Sequence, residues 1–186
     1  MYEMTALEDI LFNPCQWIHP KQLRIPEMFD SADCRKVLNQ ILIKHFQLSV
    51  TCQDAVPGTF AAEVVDNWRL LPHTAYLLAC RLYRAALVYQ GDFEKLPQHA
   101  QQFSELSVSF RQPVRFGYPV DIEELEHGGL QILEGLTRQL PLALSQRIPL
   151  LFSASARPAF CTNDLPEIAE IDLKRAIEYA KNRPIF

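Results

Sequence analysis

The sequence predicts an all-α fold, formed by a single compact multi-helix domain over residues 1–186. Three observations support this prediction. Apolar residues recur at helical spacing in most segments, and no alternating strand pattern of useful length is present. Thirteen prolines against six glycines indicate short, stiff connections between helices. A chain of 186 residues is also long enough for one domain with a substantial core.

The N-terminal third begins with two capping signals. Thr5 and Glu8 have the spacing of a capping box, which predicts a short helix that ends before Pro14. Ser31 is the expected cap of a helix that continues to Phe46. The side chains that we expect on its buried stripe are Val37, Leu38, Ile41, Leu42 and Phe46. The only β element expected is a short piece at residues 48–52.

The middle of the chain contains its most apolar helix. We expect a helix over residues 60–71, after which Pro72 starts a helix over residues 73–90 that ends at Gly91. Because apolar side chains cover more than one face of this second helix, we expect it to be central. Residues 97–106 are predicted to form a further helix, before an aromatic and basic loop.

Glycines and prolines shape the C-terminal third. Asp121 and Glu124 predict the start of a helix that ends at Leu140, and Gly128 and Gly129 within it indicate a kink or a close helix crossing. A short helix over residues 141–148 and an apolar segment follow.

The last helix is expected to start at a capping signal formed by Asp164 and Glu167, after a loop, and to end at Asn182. Its expected buried stripe consists of Ile168, Ile171, Leu173, Ala176, Ile177 and Ala180.

Composition excludes several classes of protein. Charged residues are 22% of the chain and apolar residues 48%, which is typical of a globular domain rather than a disordered one. A net charge of −4 argues against a protein that mainly binds nucleic acid. We expect no secretory signal, because the start of the sequence has no basic region and no long apolar region. We expect no membrane insertion, because no apolar run approaches about 20 residues. Five widely spaced cysteines without a CxxC motif fit free thiols in a reducing cytoplasm.

Catalytic and metal-binding signals are weak. Cys15 and His19 stand four residues apart, which on a helix would suit two zinc ligands, but no second pair has comparable spacing. A buried thiol beside a hydrogen-bonded imidazole is the favoured interpretation of this pair. No nucleophile or phosphate-binding motif is present. We therefore expect no catalytic residue, no metal and no cofactor.

Candidate partner-binding residues fall in three places. They are the acidic start of the helix at residue 121, a basic and aromatic loop before it, and a tryptophan of the kind enriched in interface hot spots. The residues are Asp121, Glu123, Glu124 and Glu126, then Arg111 and Arg115, and finally Trp17. A solvated helix start, ordinary loop packing and core packing are the respective alternatives.

Four segments, in this order, are similar to the SctK family of type III secretion systems, especially to its OrgA/MxiK branch. They are residues 10–28 (ILFNPCQWIHPKQLRIPEM), 67–80 (NWRLLPHTAYLLAC), 140–152 (LPLALSQRIPLLF) and, more weakly, 176–181 (AIEYAK). Signature side chains that we expect to be structural are Phe12, Pro14, Trp17, His19, Pro20, Trp68, Leu71, Pro72, Tyr76, Arg147, Leu150 and Phe152.

The resemblance implies a mostly helical, non-enzymatic adaptor of the injectisome sorting platform. Its implied partners are the cytoplasmic domain of the inner-membrane ring protein SctD and the spoke protein SctQ. Through them it would help to dock SctL and the ATPase SctN for effector export. The implied location is the bacterial cytoplasm, peripheral to the inner membrane at the injectisome base. Two alternatives remain: a type III secretion chaperone or regulator that binds a secreted substrate, and an enzyme that uses Cys15 with His19 or the acidic stretch.

Overall fold

A computed structural model describes residues 5–51, 58–106, 120–153 and 168–183. Within these ranges the chain forms nine α-helices and five short 3-10 helices, which confirms the predicted all-α class. The α-helices are α1 (Ala6–Phe12), α2 (Ala32–His45), α3 (Phe60–Asp66), α4 (Leu71–Leu82), α5 (Arg84–Gln90), α6 (Gln98–Ser104), α7 (Ile122–Thr137), α8 (Leu142–Ser145) and α9 (Glu170–Asn182). The 3-10 helices are Pro14–Gln16, Glu27–Phe29, Trp68–Leu70, Phe93–Lys95 and Ile148–Leu151.

Most helix ends follow the local signals in the sequence. Thr5 and Glu8 form both hydrogen bonds of the capping box. The Ser31 hydroxyl and the Asp121 carboxylate each accept a backbone N–H of the first turn, at 3.2 and 2.8 Å. Gly91 ends α5 in the left-handed conformation, with φ 75°. These ends are confirmed because each depends on only three or four neighbouring residues.

The predicted long helix over residues 73–90 is divided at Tyr83, which separates α4 from α5. The buried Tyr83 ring lies against Gly128 of α7, at a place where any Cβ would collide with it. A Cβ on Gly129 would lie 2.8 Å from the Ala75 carbonyl oxygen of α4. The two glycines therefore permit a close crossing of α7 with α4, one of the two predicted outcomes, and α7 continues through them without interruption.

Other boundaries differ from the predictions. Helix α7 ends at Thr137 rather than Leu140, and α9 begins at Glu170, after Ala169 in an extended conformation. The capping signal expected at Asp164 and Glu167 lies outside the described residues, as do the predicted loop 111–119 and all but the first residue of the predicted loop 153–163. Residues 48–51 form no strand, and Cys52, the end of the expected β piece, also lies outside the described ranges.

Two predicted stripes are buried only in part. On α2, Val37 and Ile41 are exposed, and the buried residues are Asn39 and Leu42. On α9, Ile171 is exposed, whereas Asp172 is buried beside the rest of the stripe. On α2 the core-facing side is rotated from the apolar stripe, and the hydrogen bonds of Asn39 lie on that inward side.

The described residues divide into two compact units. The first contains residues from 1–69 and 137–154. In it, α1 packs against α2 and α3, and the Pro14–Gln16 turn packs against α2. Its core consists of Ile10, Leu11, Trp17, Val64, Trp68, Leu144, Ile148, Leu150 and Phe152.

The second unit contains residues from 70–136 and 155–186. Helix α4 packs against α6 and α9, and nine of its 12 residues are buried, so it is central to this unit. The core side chains here include Leu77, Leu78, Phe103, Leu125, Leu130, Ile132, Leu173 and Ile177. The single domain expected over residues 1–186 stays a prediction.

Candidate functional site

A fully buried arginine organises the first unit. The Arg147 guanidinium donates hydrogen bonds to the carbonyl oxygens of Leu11, Ser49 and Ala143, at 2.9, 2.8 and 2.6 Å. Leu11 lies in the last turn of α1, where carbonyls lack helical partners and favour a cation. One side chain thus joins three segments that are far apart in sequence. These contacts favour the structural role expected of Arg147, which stays a prediction.

The two tryptophans pack on each other. The rings of Trp17 and Trp68 meet edge to face, with centroids 5.6 Å apart. The Trp17 indole N–H donates to the Ile10 carbonyl at 3.2 Å, and both side chains are buried. This burial favours the structural role expected of Trp17. Its partner-binding role stays a prediction.

Two of the segments that resemble the family, residues 10–28 and 140–152, are joined by hydrogen bonds to backbone carbonyl oxygens. The His19 backbone N–H donates to the Leu150 carbonyl at 2.9 Å, and the Gln22 side chain donates to the carbonyls of Pro149 and Phe152. The His19 ring nitrogen Nδ1 accepts the Lys21 N–H at 3.2 Å. These two segments therefore meet in the first unit as packing partners.

The remaining signature side chains differ in burial. Phe12 and Pro20 are exposed, so neither side chain is part of the buried core, and their structural role stays a prediction. Leu71 is buried, as is Pro14, while Pro72 and Tyr76 are half-buried. Burial raises the pKa of the Tyr76 hydroxyl well above its ordinary value.

The environments of Cys15 and Cys80 do not favour a reactive thiol, and Cys52 and Cys161 lie outside the described residues. Cys15 lies in a 3-10 turn that ends at Gln16, so it does not share a helix face with His19. Burial raises the thiol pKa of Cys15, and that of Cys80 to about 12, which disfavours the nucleophilic thiolate. Across the part of the chain that the structure describes, no three His, Cys, Asp or Glu side chains are grouped to hold a metal ion.

The charged candidates lie partly within the described ranges. Asp121 and Glu124 are exposed at the start of α7, and Glu126 is half-buried. The Asp121 carboxylate caps the helix, which is the structural alternative foreseen for it. The side chain of Glu123 is not described, and Arg111 and Arg115 lie outside the described residues. Partner binding by this set stays a prediction.

Sequence reasoning missed an exposed apolar face on α2. Val37 is 57% exposed and Ile41 53%, and Gln40 and Lys44 are exposed beside them. We call Val37, Gln40, Ile41 and Lys44 the α2 face. They lie on one side of the helix, because residues three and four apart are neighbours on its surface. The spacing was visible in the sequence, but it was assigned to the core.

A polar contact on the opposite side of α2 fixes this orientation. The buried Asn39 side chain accepts the Cys15 N–H at 2.9 Å and donates to Asn13 Oδ1 at 3.0 Å. Asn39 is two residues from Val37 and from Ile41, hence about 160° around the helix from each. While these hydrogen bonds hold Asn39 inward, the α2 face points to solvent.

The second unit has an exposed apolar face of its own, on α5. Tyr89 is 93% exposed and Val88 52%. We treat Val88 and Tyr89 as a candidate contact surface, because tyrosine is enriched in the hot spots of protein interfaces. Other exposed apolar side chains in the described ranges include Leu142 in the first unit and Ile171 in the second. No helix within the described ranges is both long enough and apolar enough to span a bilayer.

Comparison with known proteins gives consistent matches. Residues 7–182 match the family model OrgA_MxiK, described as a bacterial type III secretion apparatus protein. The chain is 33% identical to the oxygen-regulated invasion protein OrgA of Salmonella typhimurium over 183 residues, which is 94% of this chain and 86% of that protein. It is 30% identical to protein YgeO of Escherichia coli K12 over 97 residues, 51% of this chain and 69% of YgeO. No solved structure matches it.

The family is one of apparatus proteins and not a known enzyme family. The matched region includes all four segments on which the resemblance depends, from the tryptophan pair and Arg147 in the first unit to α9 in the second. The chain belongs to the OrgA/MxiK family of bacterial type III secretion apparatus proteins.

Proposed function

We propose that the protein is a non-enzymatic adaptor of the injectisome sorting platform. It links the cytoplasmic domain of SctD to the spoke protein SctQ, and so supports docking of SctL and the ATPase SctN for effector export. It acts in the bacterial cytoplasm, at the inner-membrane base of the injectisome. The observation that carries this proposal is the match to an apparatus family over residues 7–182.

The surface of the protein supports an adaptor with two partners. An adaptor needs at least two surfaces that bind other proteins, and exposed apolar helix faces are common as such surfaces. The α2 face lies in the first unit, and Val88 with Tyr89 lies in the second. Two separate faces fit a protein that joins one component to another.

The test is an affinity purification of the tagged full chain from lightly crosslinked native cells, read by mass spectrometry. The proposal predicts that SctD and SctQ are both recovered. The same purification from cells that lack SctQ should still recover SctD, and cells that lack SctD should still give SctQ. These two controls separate direct linking from recovery through the rest of the apparatus.

Two outcomes would contradict the adaptor function. Recovery of secreted substrates without SctD or SctQ would support the alternative, a chaperone or regulator. Recovery of only one of the two components in wild-type cells would make the protein an accessory of that component, not a link.

A further inference from the structure

The α2 face is the least explained surface of the first unit. Its two aliphatic side chains are more than half exposed, on a helix in which only two of 14 residues are buried. Nearby, the turn that precedes α2 exposes Met28 at 78%. Folding of the chain does not need these apolar groups on the surface, and the Asn39 hydrogen bonds hold the helix so that they face outward.

The segment that contains the α2 face carries a net positive charge. Residues 21–45 hold five Lys and Arg and three Asp and Glu, a net +2, in a chain of net −4, so the rest of the chain carries −4 − 2 = −6. Two of the acids are paired locally: Asp30 with Arg35 and Asp33 with Lys36.

Pairing of these acids leaves a basic excess on the segment. Lys21, Arg24 and Lys44 have no ion pair with any described carboxylate, against one unpaired acid, Glu27. Lys44 belongs to the α2 face itself, one turn beyond Ile41. The uncompensated charge beside the apolar pair is therefore positive.

The geometry favours a helical occupant. Val37, Ile41 and Lys44 form a straight stripe at i, i+4 and i+7, which suits a second helix laid along α2. A second copy of this chain is a poorer fit, because it would bring two segments of net charge +2 against each other. A helix with apolar residues flanked by Asp or Glu complements both the apolar pair and the lysine.

We propose that the α2 face binds an acidic amphipathic helix of one of the two apparatus partners. This inference rests on the proposed function, since that function supplies the partners. Val37 and Ile41 provide the buried apolar contact. Lys44 attracts the acidic side chains of the partner helix and fixes the position of that helix along α2. The α5 face remains available to the other partner.

The experiment measures binding of the purified full chain to purified SctQ and, separately, to the purified cytoplasmic domain of SctD from the same secretion system. The test variants are Val37→Gln with Ile41→Gln, and Lys44→Glu alone. The matched control is Val88→Gln with Tyr89→Gln, which makes the other exposed apolar face polar. Urea unfolding of each variant checks that it remains folded.

One partner should lose at least about tenfold in affinity for the Val37→Gln, Ile41→Gln variant. Lys44→Glu should slow association with that same partner and reduce the dependence of the rate on salt. The control variant should bind that partner as the wild type does.

Each contrary result has a separate meaning. If the wild type binds both partners and the double variant does too, the inference is wrong while the proposed function stands. If the wild type binds neither, both fall. Tighter binding by Lys44→Glu would contradict an acidic occupant. Loss of a dimer in light scattering, with both affinities unchanged, would show that the face binds a second copy and would overturn the proposal.

Discussion

Helices α2 and α4 have similar lengths, and each was expected to bury an apolar face, but they occupy opposite environments. In α4, nine of 12 residues are buried, and Leu77, Leu78 and Ala79 are fully inaccessible. In α2, two of 14 are buried, and one of them is an asparagine. The first unit therefore gains little core from α2 and depends on polar contacts, whereas the second unit is organised by an apolar helix. An amphipathic stripe does not by itself distinguish a face that packs in the core from one that stays exposed.

The largest expected effect tests whether the first unit depends on the polar contacts of its buried arginine. Arg147→Ala should lower the free energy of unfolding by about 4 kcal/mol, because it leaves a cavity and removes the hydrogen bonds to the carbonyls of Leu11, Ser49 and Ala143. Urea unfolding followed by circular dichroism measures it. The control is Arg138→Ala, at an exposed arginine, which should leave the free energy of unfolding unchanged. A loss no greater than that of the control would show that the first unit does not depend on its buried cation.

The second prediction compares the two helices directly. Leu78→Ala in α4 should lower the free energy of unfolding by about 3 kcal/mol, as is usual when a large side chain is removed from a packed core. Val37→Ala in α2 should leave the free energy of unfolding within about 0.5 kcal/mol, or raise it slightly, because alanine is the better helix former. The same urea measurement serves both. Similar losses for the two variants would contradict the difference in environment on which this account is based.

The third prediction concerns the helix crossing in the second unit. Gly129→Ala should lower the free energy of unfolding by about 2 kcal/mol, because the new Cβ meets the Ala75 backbone carbonyl. This loss exceeds the gain of about 1 kcal/mol from better helix propensity. Adding Ala75→Gly should not restore stability, since the colliding atom belongs to the backbone. A more stable Gly129→Ala variant would show that the crossing is looser.

The smallest effect is a pH dependence within the second unit. Burial, together with the neighbouring His99 ring at 5.4 Å, lowers the pKa of His73. The unfolded chain therefore binds more protons at this residue, and stability falls as the pH drops below about 6.5, the ordinary value for histidine. In the His73→Gln variant, the urea concentration at the unfolding midpoint should decrease less than in the wild type between about pH 7 and about pH 5.

An opposing group makes the comparison with wild type necessary. Burial raises the pKa of Glu134, so this carboxyl makes the protein more stable as the pH falls through its folded-state pKa. The pH dependence of stability in the wild type is therefore the sum of two opposite contributions. The difference in pH dependence between the wild type and His73→Gln isolates the contribution of the histidine. An unchanged slope in the variant would contradict the assignment.

The parts of the fold that sequence could predict are those set by local chemistry. Caps at Thr5, Ser31 and Asp121, and the left-handed Gly91, each depend on a few adjacent residues, so helix positions followed from them. The break at Tyr83 did not, because no proline or glycine marks it and the contact that accompanies it is with Gly128, far along the chain.

The candidate site was harder to predict for a related reason. Val37 and Ile41 have the spacing of a core stripe, and only the long-range hydrogen bond from Cys15 to Asn39 shows which side faces inward. Arg147 lies within a segment that resembles the family, but arginine is seldom buried. Its contacts with the two distant carbonyls, those of Leu11 and Ser49, carried no local signal in the sequence.

The measurement that most directly tests the central claim is hydrogen–deuterium exchange of the full chain, alone and saturated with each partner in turn. The account predicts that one partner slows amide exchange across α2. Exchange in α4, already buried in the free protein, should stay unchanged. Protection elsewhere with α2 exchanging as in the free protein, for both partners, would contradict the account.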